Sequence, residues 1–472
     1  MKSTNQGNVV SANIVAKSGF WYTISNFMFR GIAFITTPIF VRLLSKSEFG
    51  EFNNITSWVS ILFVFTACDL YTSIIRAKLD LEDDLDRYSY SILTLGSIIT
   101  FIFFVLTILF GTYISDFTGI QKQYFYIIYV YLFFIQGYYV FATNARAHYK
   151  YKLYSIATGI GIVASCLLSV VLVVYMENKL TARIYGHFIP YIIVGCILYF
   201  FVRKQGKEVN ISYYKYGASL SFPLVPHLLS LTILSSSDKI MITKYIGVEF
   251  TALYSIAAIV SHIVVILIDS MNKAWAPWFL DVLKAKNLEQ IKEASRVYFF
   301  VFVFLLFTMI LIGPEIILIL GGEKYKESIN VLLPLLLGGL FQFVYTMYIQ
   351  IEFFEKKMTV ISMATICAAV SNIVLNYLFI PVFGYIAAGY TTLIGYILLF
   401  IIHFITVRKM GYKNLFDDKI IICTLVISVL ITLLISSIYH LTFIRGFIIV
   451  SLFVVVIFLL YKFKIQNFYR LK

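Results

Sequence analysis

The chain has 472 residues, of which 60% are hydrophobic and only 13% are charged. Soluble globular proteins carry about 25% charged residues, so this composition excludes an ordinary soluble domain and indicates a membrane protein. The formal net charge of +14 would favour a nucleic-acid partner only if the basic residues were clustered on a soluble domain. They lie instead in the connectors between apolar stretches, and no nucleic-acid partner is expected.

A helix that spans a bilayer needs about 20 predominantly apolar residues. The apolar runs are long and continuous rather than alternating, which favours helices over a β-barrel. No cleavable signal peptide is expected, because the stretch before the first run is largely polar and that run is too long. The predicted fold class is an all-α polytopic membrane protein with about fourteen spanning helices, near 17–44, 51–75, 91–114, 123–145, 152–175, 182–202, 217–246, 251–272, 296–320, 329–350, 359–380, 383–407, 418–438 and 443–462.

The distribution of basic residues predicts the orientation of these helices. With both termini in the cytoplasm, most Lys and Arg residues fall in cytoplasmic connectors, as the positive-inside rule requires. The inverted orientation would place most of the positive charge outside. We therefore predict a multi-pass protein whose two termini are cytoplasmic.

A basic hydrophilic connector divides the chain near its middle and is predicted to be a cytoplasmic hinge. The expected parts are an N-terminal six-helix lobe (1–202), the hinge (203–216), a second six-helix lobe (217–408) and two additional transmembrane helices (409–472). Two such lobes would be parallel repeats, related by an axis along the membrane normal.

The first predicted span carries Arg30 midway along its length, where a charged side chain facing lipid is costly. Thr23, Asn26 and Thr37 share its helical face and form one polar stripe. This pattern favours a cavity-facing Arg30 over the alternative, an arginine satisfied by helix carbonyls or by an acidic neighbour.

Three further charged residues are candidates for the inner mouth of a cavity. Asp69 and Arg76 are seven residues apart at the end of the second span, which would place them on one face of a continuous helix. Arg146 lies at the inner end of the fourth span. Its simplest role is to set the topology.

The seventh and eighth spans each combine an acid, a lysine and a histidine. His227 and Asp238 fall on nearly one face of the seventh, which Pro223 and Pro226 should bend. His262 and Asp269 are at heptad spacing in the eighth, and Lys239 and Lys273 lie beside the acids. Each acid either neutralises its lysine or lines the cavity with it. Since histidine titrates near physiological pH, His262 with Asp269, and His227 with Asp238, are candidate ion-coupling sites; the alternative is that the histidines are neutral packing residues.

Two amides in the eleventh span, Asn372 and Asn376, are four residues apart. That spacing is typical of contacts between helices within the membrane, and we interpret the pair as structural. The five cysteines lie inside predicted spans at unrelated spacings, so neither a metal site nor a disulfide is expected. The sequence has no Walker A lysine motif, dinucleotide-binding glycine motif, HExxH zinc motif or GxSxG serine motif. No cofactor and no enzymatic activity are predicted, and any energy for transport must come from a gradient or a partner.

Several short segments follow one another along the chain: Arg30-Gly31-Ile32-Ala33 with Pro38, Arg42-Leu43-Leu44, Phe49-Gly50-Glu51-Phe52, Asp69 to Arg76, Ser237-Asp238-Lys239-Ile240 with Tyr254-Ser255-Ile256-Ala257, and Asn372 to Pro381 with Phe383-Gly384. With these segments in this order, the chain resembles the polysaccharide flippases of the Wzx type over roughly residues 15–408. One departure is Tyr71, where the pattern usually has glycine.

The resemblance implies the superfamily of multidrug, oligosaccharidyl-lipid and polysaccharide exporters, whose two six-helix lobes face a central cavity. It implies movement of undecaprenyl-diphosphate-linked oligosaccharide, of the O-antigen or capsule type, from the inner to the outer leaflet of a bacterial plasma membrane. The implied partners are this substrate, membrane lipids, a polysaccharide polymerase and a chain-length regulator. Cationic cavity walls would suit the diphosphate, and arginine can bind it bidentately.

Two other functions remain as alternatives. A polysaccharide polymerase or membrane glycosyltransferase would need a sizeable outer loop or a carboxylate-bearing soluble region, and neither is visible. A multidrug or cation exporter of the same superfamily would have a cavity dominated by acids, whereas the candidate acids and bases here roughly balance.

Overall fold

The computed structural model describes residues 31–451, apart from Ala33, Tyr149, Asn414 and His440. Within these residues there is no β-strand, and the all-helical prediction is confirmed. The chain divides into two compact units. The first unit runs to Ala252 and the second begins at Leu253. The lobe boundaries predicted from the sequence, with a hinge at 203–216, remain a prediction.

The first unit contains ten helices and the start of an eleventh, among its described residues. They are α1 (Phe34–Leu43), α2 (Lys46–Ala67), α3 (Ser73–Asp80), α4 (Leu85–Leu109), α5 (Gly111–Thr118), α6 (Lys122–Ala147), α7 (Tyr151–Tyr175), α8 (Lys179–Gly206), α9 (Ile211–Ser221), α10 (Val225–Tyr245) and α11 (Val248–Lys284). Short 3-10 turns at Leu70–Thr72, Glu82–Asp84 and Phe222–Leu224 join some of them.

The second unit holds the rest of α11 and six further helices in its described part. They are α12 (Leu288–Gly321), α13 (Ile329–Phe354), α14 (Met358–Phe383), α15 (Tyr385–Lys409), α16 (Asp418–Ile438) and α17 (Thr442–Ser451). A 3-10 turn, Glu323–Ser328, joins α12 to α13.

Eleven stretches within the described part of the chain are long and apolar enough to cross a membrane, or twelve if the bent pair α2 and α3 is one span. They correspond to the second through thirteenth of the predicted spans. Most of the first predicted span and the end of the last lie outside the described residues. The protein is therefore a multi-pass membrane protein, in keeping with the outward-facing apolar side chains such as Phe101, which is 60% exposed.

Helix starts follow local capping chemistry. Ser45 accepts a hydrogen bond from the Glu48 backbone, while the Glu48 carboxylate accepts one from the Ser45 backbone, and this capping box starts α2. Asn178 caps α8 and Asn210 caps α9 in the same manner, through their side-chain oxygens. At Pro223, α9 ends at Ser221 and a 3-10 turn precedes α10, and the predicted bend remains a prediction.

Small residues and buried amides hold the helices of the first unit together. A Cβ atom on Gly137 of α6 would lie 2.7 Å from the carbonyl oxygen of Gly195 on α8, so only glycine permits this approach. Gln136 of α6 donates to the backbone of Gly96 and to Thr100 of α4. Since lipid supplies no hydrophobic drive between helices, such contacts decide the packing.

The acidic connector after α3 is attached to the segment before α10. Tyr213 donates a hydrogen bond to Asp84, and Tyr216 donates one to Asp80 at 2.6 Å. Arg87 forms an ion pair with Glu208 at 3.2 Å. Part of the segment predicted to be a hinge is thereby fastened to α3 and α4.

Candidate functional site

The first unit contains a cavity of about 390 Å³ between α2, α6 and α10, which we call the α2–α6–α10 cavity. Its lining residues on α6 lie between Tyr131 and Tyr139, and those on α10 lie between Leu228 and Ser236. Its described lining consists of Val59, Ser60, Phe63, Val64, Ala67, Asp69, Tyr71, Tyr131, Tyr139, Leu228, Thr232, Ser235 and Ser236. A cavity with this volume falls in the range of about 300–1,000 Å³ that is typical of small-ligand sites.

A break in the second span contains Asp69, which is the only charged residue in the described lining of the cavity. Cys68 and Asp69 both adopt left-handed backbone conformations, with φ of 44° and 54°, and the chain bends by 57° between α2 and α3. Neither residue is glycine, so the break is a strained local conformation. The prediction that Asp69 and Arg76 share one face of a continuous helix is wrong, because α2 ends at Ala67, Asp69 lies in the break and Arg76 lies on α3.

The Asp69 side chain is only 7% exposed, yet its carboxylate is held at the cavity wall. Thr72 donates to Oδ2 at 2.7 Å, and the side chain of Tyr71 also hydrogen-bonds the carboxylate. A carboxylate can accept about four hydrogen bonds, so these two leave capacity for a ligand.

Three aromatic rings form a continuous group on the cavity wall. The centroids of Tyr71 and Tyr139 are 5.0 Å apart, those of Phe63 and Tyr139 are 4.8 Å apart, and those of Phe63 and Tyr71 are 6.2 Å apart. Their planes are tilted by only 31° to 37° from one another. We call these three residues the aromatic group.

The wall contributed by α10 carries hydroxyl groups. Leu228, Thr232, Ser235 and Ser236 have the spacing of one helical face. Thr232 donates to the carbonyl of Leu228 at 2.9 Å and Ser235 donates to that of Thr232 at 3.0 Å. Ser60 on α2 likewise donates to the carbonyl of Thr56. These bonds use the hydroxyl protons and leave the oxygen lone pairs as acceptors.

The predicted site residues of the first unit lie at several places. Arg30 lies outside the described residues. Arg76 is exposed and pairs with Asp80 at 3.3 Å, and Arg146 donates to Thr143 at 3.0 Å. Of the residues expected to line a cavity, Asp69 is the one found in the described lining of the α2–α6–α10 cavity.

On α10, His227 is half-buried and precedes the cavity-lining Leu228. Asp238 is 1% exposed, and the backbone carbonyl of Lys239 accepts a hydrogen bond from Thr251. Neither Asp238 nor Lys239 is in the described lining of the cavity. The roles predicted for them remain predictions.

In the second unit, His262, Asp269 and Lys273 all lie on α11. Asp269 is close enough to Tyr345 of α13 to act on it electrostatically, while the side chains of His262 and Lys273 are exposed. Ion coupling through His262 and Asp269 stays a prediction.

A buried pair that the sequence analysis did not single out joins α13 to α15. The Nδ1 atom of His403 lies 3.0 Å from both carboxylate oxygens of Glu352, and both side chains are 0% exposed. The ring of Tyr345 stacks on His403 with centroids 5.6 Å apart. The two partners are 51 residues apart in sequence, so no local pattern indicates their contact.

A partly buried arginine of α8 is a further residue that the sequence did not single out. The guanidinium of Arg183 on α8 lies 3.6 Å from the ring centroid of Phe40 and 4.3 Å from that of Phe52, and it donates to Ser169. The aromatic faces stabilise a charge that lipid would not. Arg183 is a cation–π anchor between α8, α1 and α2.

The amides Asn372 and Asn376 connect α14 to α15, which supports their structural interpretation. Asn372 donates to Thr392 at 3.3 Å, Asn376 donates to Asn372 at 3.1 Å, and Thr391 donates to Asn376. Among the described residues, no group of three or more His, Cys, Asp or Glu side chains is placed to hold a metal ion.

A larger cavity of about 800 Å³ lies in the second unit, near the ends of α12 and α16. Its charged lining is mixed: Glu323, Lys324, Lys326, Glu327 and Arg445. Arg445 is 3% exposed and binds Glu315 bidentately at 2.7 and 2.6 Å. Because this cavity is formed by helix ends and a connecting turn, it does not offer a polar site deep within the spans.

The architecture is that of a polytopic α-helical membrane protein with a polar cavity among its spans. The chain belongs to the polysaccharide biosynthesis protein family, whose model matches residues 15–283, more than half of its length. This match confirms the resemblance identified in the sequence.

Individual relatives are distant. The chain is 23% identical over 445 residues to an uncharacterized membrane protein of Methanocaldococcus jannaschii, covering 86% of each chain. It is 23% identical over 221 residues to Lsg locus putative protein 1 of Haemophilus influenzae, covering 45% of this chain and 54% of that one.

Solved structures share the fold. The lipid II flippase MurJ in an inward closed conformation matches with a TM-score of 0.74 and 15% identity, covering 94% of this chain and 99% of that one. An inward-facing multidrug resistance MATE family transporter of the MOP superfamily matches with a TM-score of 0.63 and 15% identity, covering 82% and 95%. At such identity the likeness establishes the fold.

Proposed function

We propose that this protein is a flippase that moves an undecaprenyl-diphosphate-linked oligosaccharide, of the O-antigen or capsule type, across a bacterial plasma membrane. Movement is from the inner to the outer leaflet by alternating access, with both termini in the cytoplasm. The family and the fold shared with a lipid II flippase support this function. The protein is proposed to be a transporter and not an enzyme.

The observation that carries the proposal is the α2–α6–α10 cavity. A glycan and a diphosphate of charge about −2 cannot enter hydrocarbon without losing their hydration, at a cost of several kcal/mol for each unsatisfied polar group. A carboxylate, hydroxyl groups and aromatic rings among membrane-spanning helices provide substitutes for water around the glycan. The cationic candidates Arg30, Arg76, Arg146, Lys239 and Lys273 are proposed to attract the diphosphate.

Energy for the cycle is proposed to come from an ion gradient. The candidate coupling groups are Asp269 with His262 and Asp238 with His227, whose protonation would change as their surroundings change. A polysaccharide polymerase and a chain-length regulator are proposed to act on the substrate after its transfer.

The test is transfer of a fluorescent undecaprenyl-diphosphate-linked oligosaccharide in proteoliposomes. Wild-type protein should move the probe several-fold faster than protein-free vesicles, and an imposed pH or sodium gradient should accelerate it. Transfer no faster than in protein-free vesicles would refute the proposal. Unchanged transfer after both gradients are collapsed would refute the coupling alone.

A second candidate function is export of organic cations, and one observation favours it. Asp69 is the single charged residue in the described lining of the α2–α6–α10 cavity, and a carboxylate beside aromatic rings suits a cation. The same proteoliposomes loaded with tetraphenylphosphonium distinguish the two. Gradient-driven movement of this cation, without movement of the lipid-linked probe, would establish the exporter instead.

A further inference from the structure

We infer that the α2–α6–α10 cavity is a subsite for one sugar unit of the lipid-linked glycan, and that this unit is uncharged or carries an amino group. The inference rests on the proposed function, which it extends to the class of sugar recognised. It assigns the aromatic group to the apolar face of the sugar ring and Asp69 to its hydroxyl or ammonium protons.

The aromatic group suits a ring-shaped ligand. A sugar ring presents C–H bonds on one face, and these pack against the negative face of an aromatic ring. The centroids of Phe63, Tyr71 and Tyr139 lie 4.8–6.2 Å apart with tilts of 31–37°, so the rings pack against one another and form one apolar part of the cavity wall. Small-ligand clefts combine such aromatic walls with a few placed polar groups.

Several polar groups of the described lining are acceptors, and the hydroxyl groups of Tyr131, Tyr139 and Ser236 can also donate. The protons of Ser60, Thr232 and Ser235 are donated to carbonyls of their own helices. Asp69 accepts hydrogen bonds from Thr72 and Tyr71 and has further lone pairs. A ligand rich in donors therefore fits, and sugar hydroxyl and ammonium groups are such donors.

The charge found in the described lining disfavours acidic ligands. Asp69 is the single charged group in the described lining, and it is negative. A uronic acid or a phosphate would bring a second negative charge within a few Å in a partly dry site, where repulsion is strong. The inference therefore assigns the diphosphate to another part of the protein and one sugar of the glycan to this cavity.

The volume of about 390 Å³ sets the size of the ligand. It accommodates a monosaccharide unit, whereas a long glycan would extend beyond it. Selection at this position therefore concerns one sugar of the repeat unit.

The experiment measures binding of methyl glycosides to the purified full-length protein in lipid nanodiscs by saturation-transfer NMR. Neutral, amino and uronic acid forms are compared as matched sets in the gluco and galacto configurations. Wild-type protein should bind the neutral or amino member of at least one set about tenfold or more tightly than its uronic acid. Equal or stronger binding of the uronic acids, or no binding of any glycoside, would overturn the inference.

Variants test the contributions of the aromatic group and of Asp69 to binding. Tyr139→Leu removes a ring while retaining an apolar side chain and should weaken the neutral glycoside about three- to tenfold. Tyr139→Phe keeps the ring and should bind within about twofold of wild type. Asp69→Asn should reduce the discrimination against the uronic acid to within about threefold. If Tyr139→Leu is not recovered folded, Phe63→Leu tests the same surface.

Phe101→Leu, on the outward face of α4, is the matched control and should bind like wild type. Transfer of the lipid-linked probe distinguishes the sugar subsite inferred here from the proposed flippase function. If wild type transfers the probe but Tyr139→Leu and Asp69→Asn bind glycosides as wild type does, the subsite is wrong and the flippase stands. If glycosides bind as expected but no lipid-linked probe moves, the flippase is wrong.

Discussion

In the first unit the buried carboxylate of Asp69 borders a cavity. In the second unit the buried carboxylate of Glu352 is paired with the imidazole of His403. Both acids lie within a membrane protein, yet their surroundings differ. Asp69 sits in a strained helix break and keeps unused acceptor capacity. Glu352 lies on a regular helix and has both oxygens in contact with one imidazole nitrogen.

This difference separates polar groups that can serve a ligand from polar groups that hold helices together. A buried charge must be paired, hydrated or bound to a ligand, because lipid offers no hydrogen bonds. The Glu352 carboxylate is paired with His403, and the amides of Asn372 and Asn376 bond to each other and to α15. The Asp69 carboxylate keeps unused acceptor capacity after its hydrogen bonds with Thr72 and Tyr71, and the cavity beside it has room for a ligand.

The largest effect is expected where the pair in the second unit is broken. Glu352→Ala leaves His403 buried without its acceptor and creates a void, so the free energy of unfolding should fall by about 3 kcal/mol or more. Glu352→Gln keeps an acceptor and should cost less. Thermal unfolding in detergent measures the loss, and probe transfer per folded molecule should remain near wild type for Glu352→Gln. If Glu352→Ala is as stable as wild type but does not transfer the probe, Glu352 has a functional role and not the structural role assigned to it.

An intermediate effect is expected at the break beside Asp69. Cys68 has φ of 44°, a conformation that β-branched residues disfavour strongly and asparagine tolerates. Cys68→Val should therefore lower the free energy of unfolding by about 1–2 kcal/mol, whereas Cys68→Asn should be close to neutral. Chemical denaturation of both variants under the same conditions measures their free energies of unfolding. Equal values would show that the backbone at the break is not strained.

The smallest effect is expected at Tyr412, between α15 and α16 in the second unit. Its hydroxyl donates to Glu355 at 2.6 Å, and this hydrogen bond, with partial burial, raises the pKa of Tyr412 to about 12. Because the folded pKa exceeds the unfolded value of about 10, the stabilisation is present below pH 10 and is lost as pH rises towards 12.

For so exposed a group the stabilisation should be under about 1 kcal/mol. Melting curves of wild type and Tyr412→Phe should differ slightly at pH 8 and converge above pH 10. A difference that is constant across this range would exclude the hydrogen bond as its source.

The sequence predicted the spans well, since a run of about 20 apolar residues needs no knowledge of its neighbours. The change from α-helix to a 3-10 turn before α10 fits Pro223, which cannot supply a backbone donor. The break at Cys68 and Asp69 was not predictable, since neither glycine nor proline marks it. Its left-handed residues depend on surrounding contacts, and the one-face argument for Asp69 and Arg76 failed for that reason.

The candidate site was predictable only in part. Asp69 could be singled out as a charged residue in an apolar run, but the rings of Phe63, Tyr71 and Tyr139 could not be grouped from a chain with 79 Tyr and Phe residues, 35 and 44 respectively. The pairs Glu352–His403 and Arg445–Glu315 join residues 51 and 130 positions apart. Such contacts follow from helix packing, and no periodicity within one helix reveals them.

The tyrosines that fasten α9 to the acidic connector also fix the order in which the first unit can be completed during synthesis. Tyr213 and Tyr216 lie 129 and 136 residues after the aspartates that they bind. At about 5–20 residues per second, the ribosome needs on the order of ten seconds to cover that distance. During this interval α4, α6, α7 and α8 are synthesised while Asp80 and Asp84 lack these hydrogen-bond donors. A nascent chain stopped after Gly206 would contain those helices and still lack the contacts that close this end of the first unit.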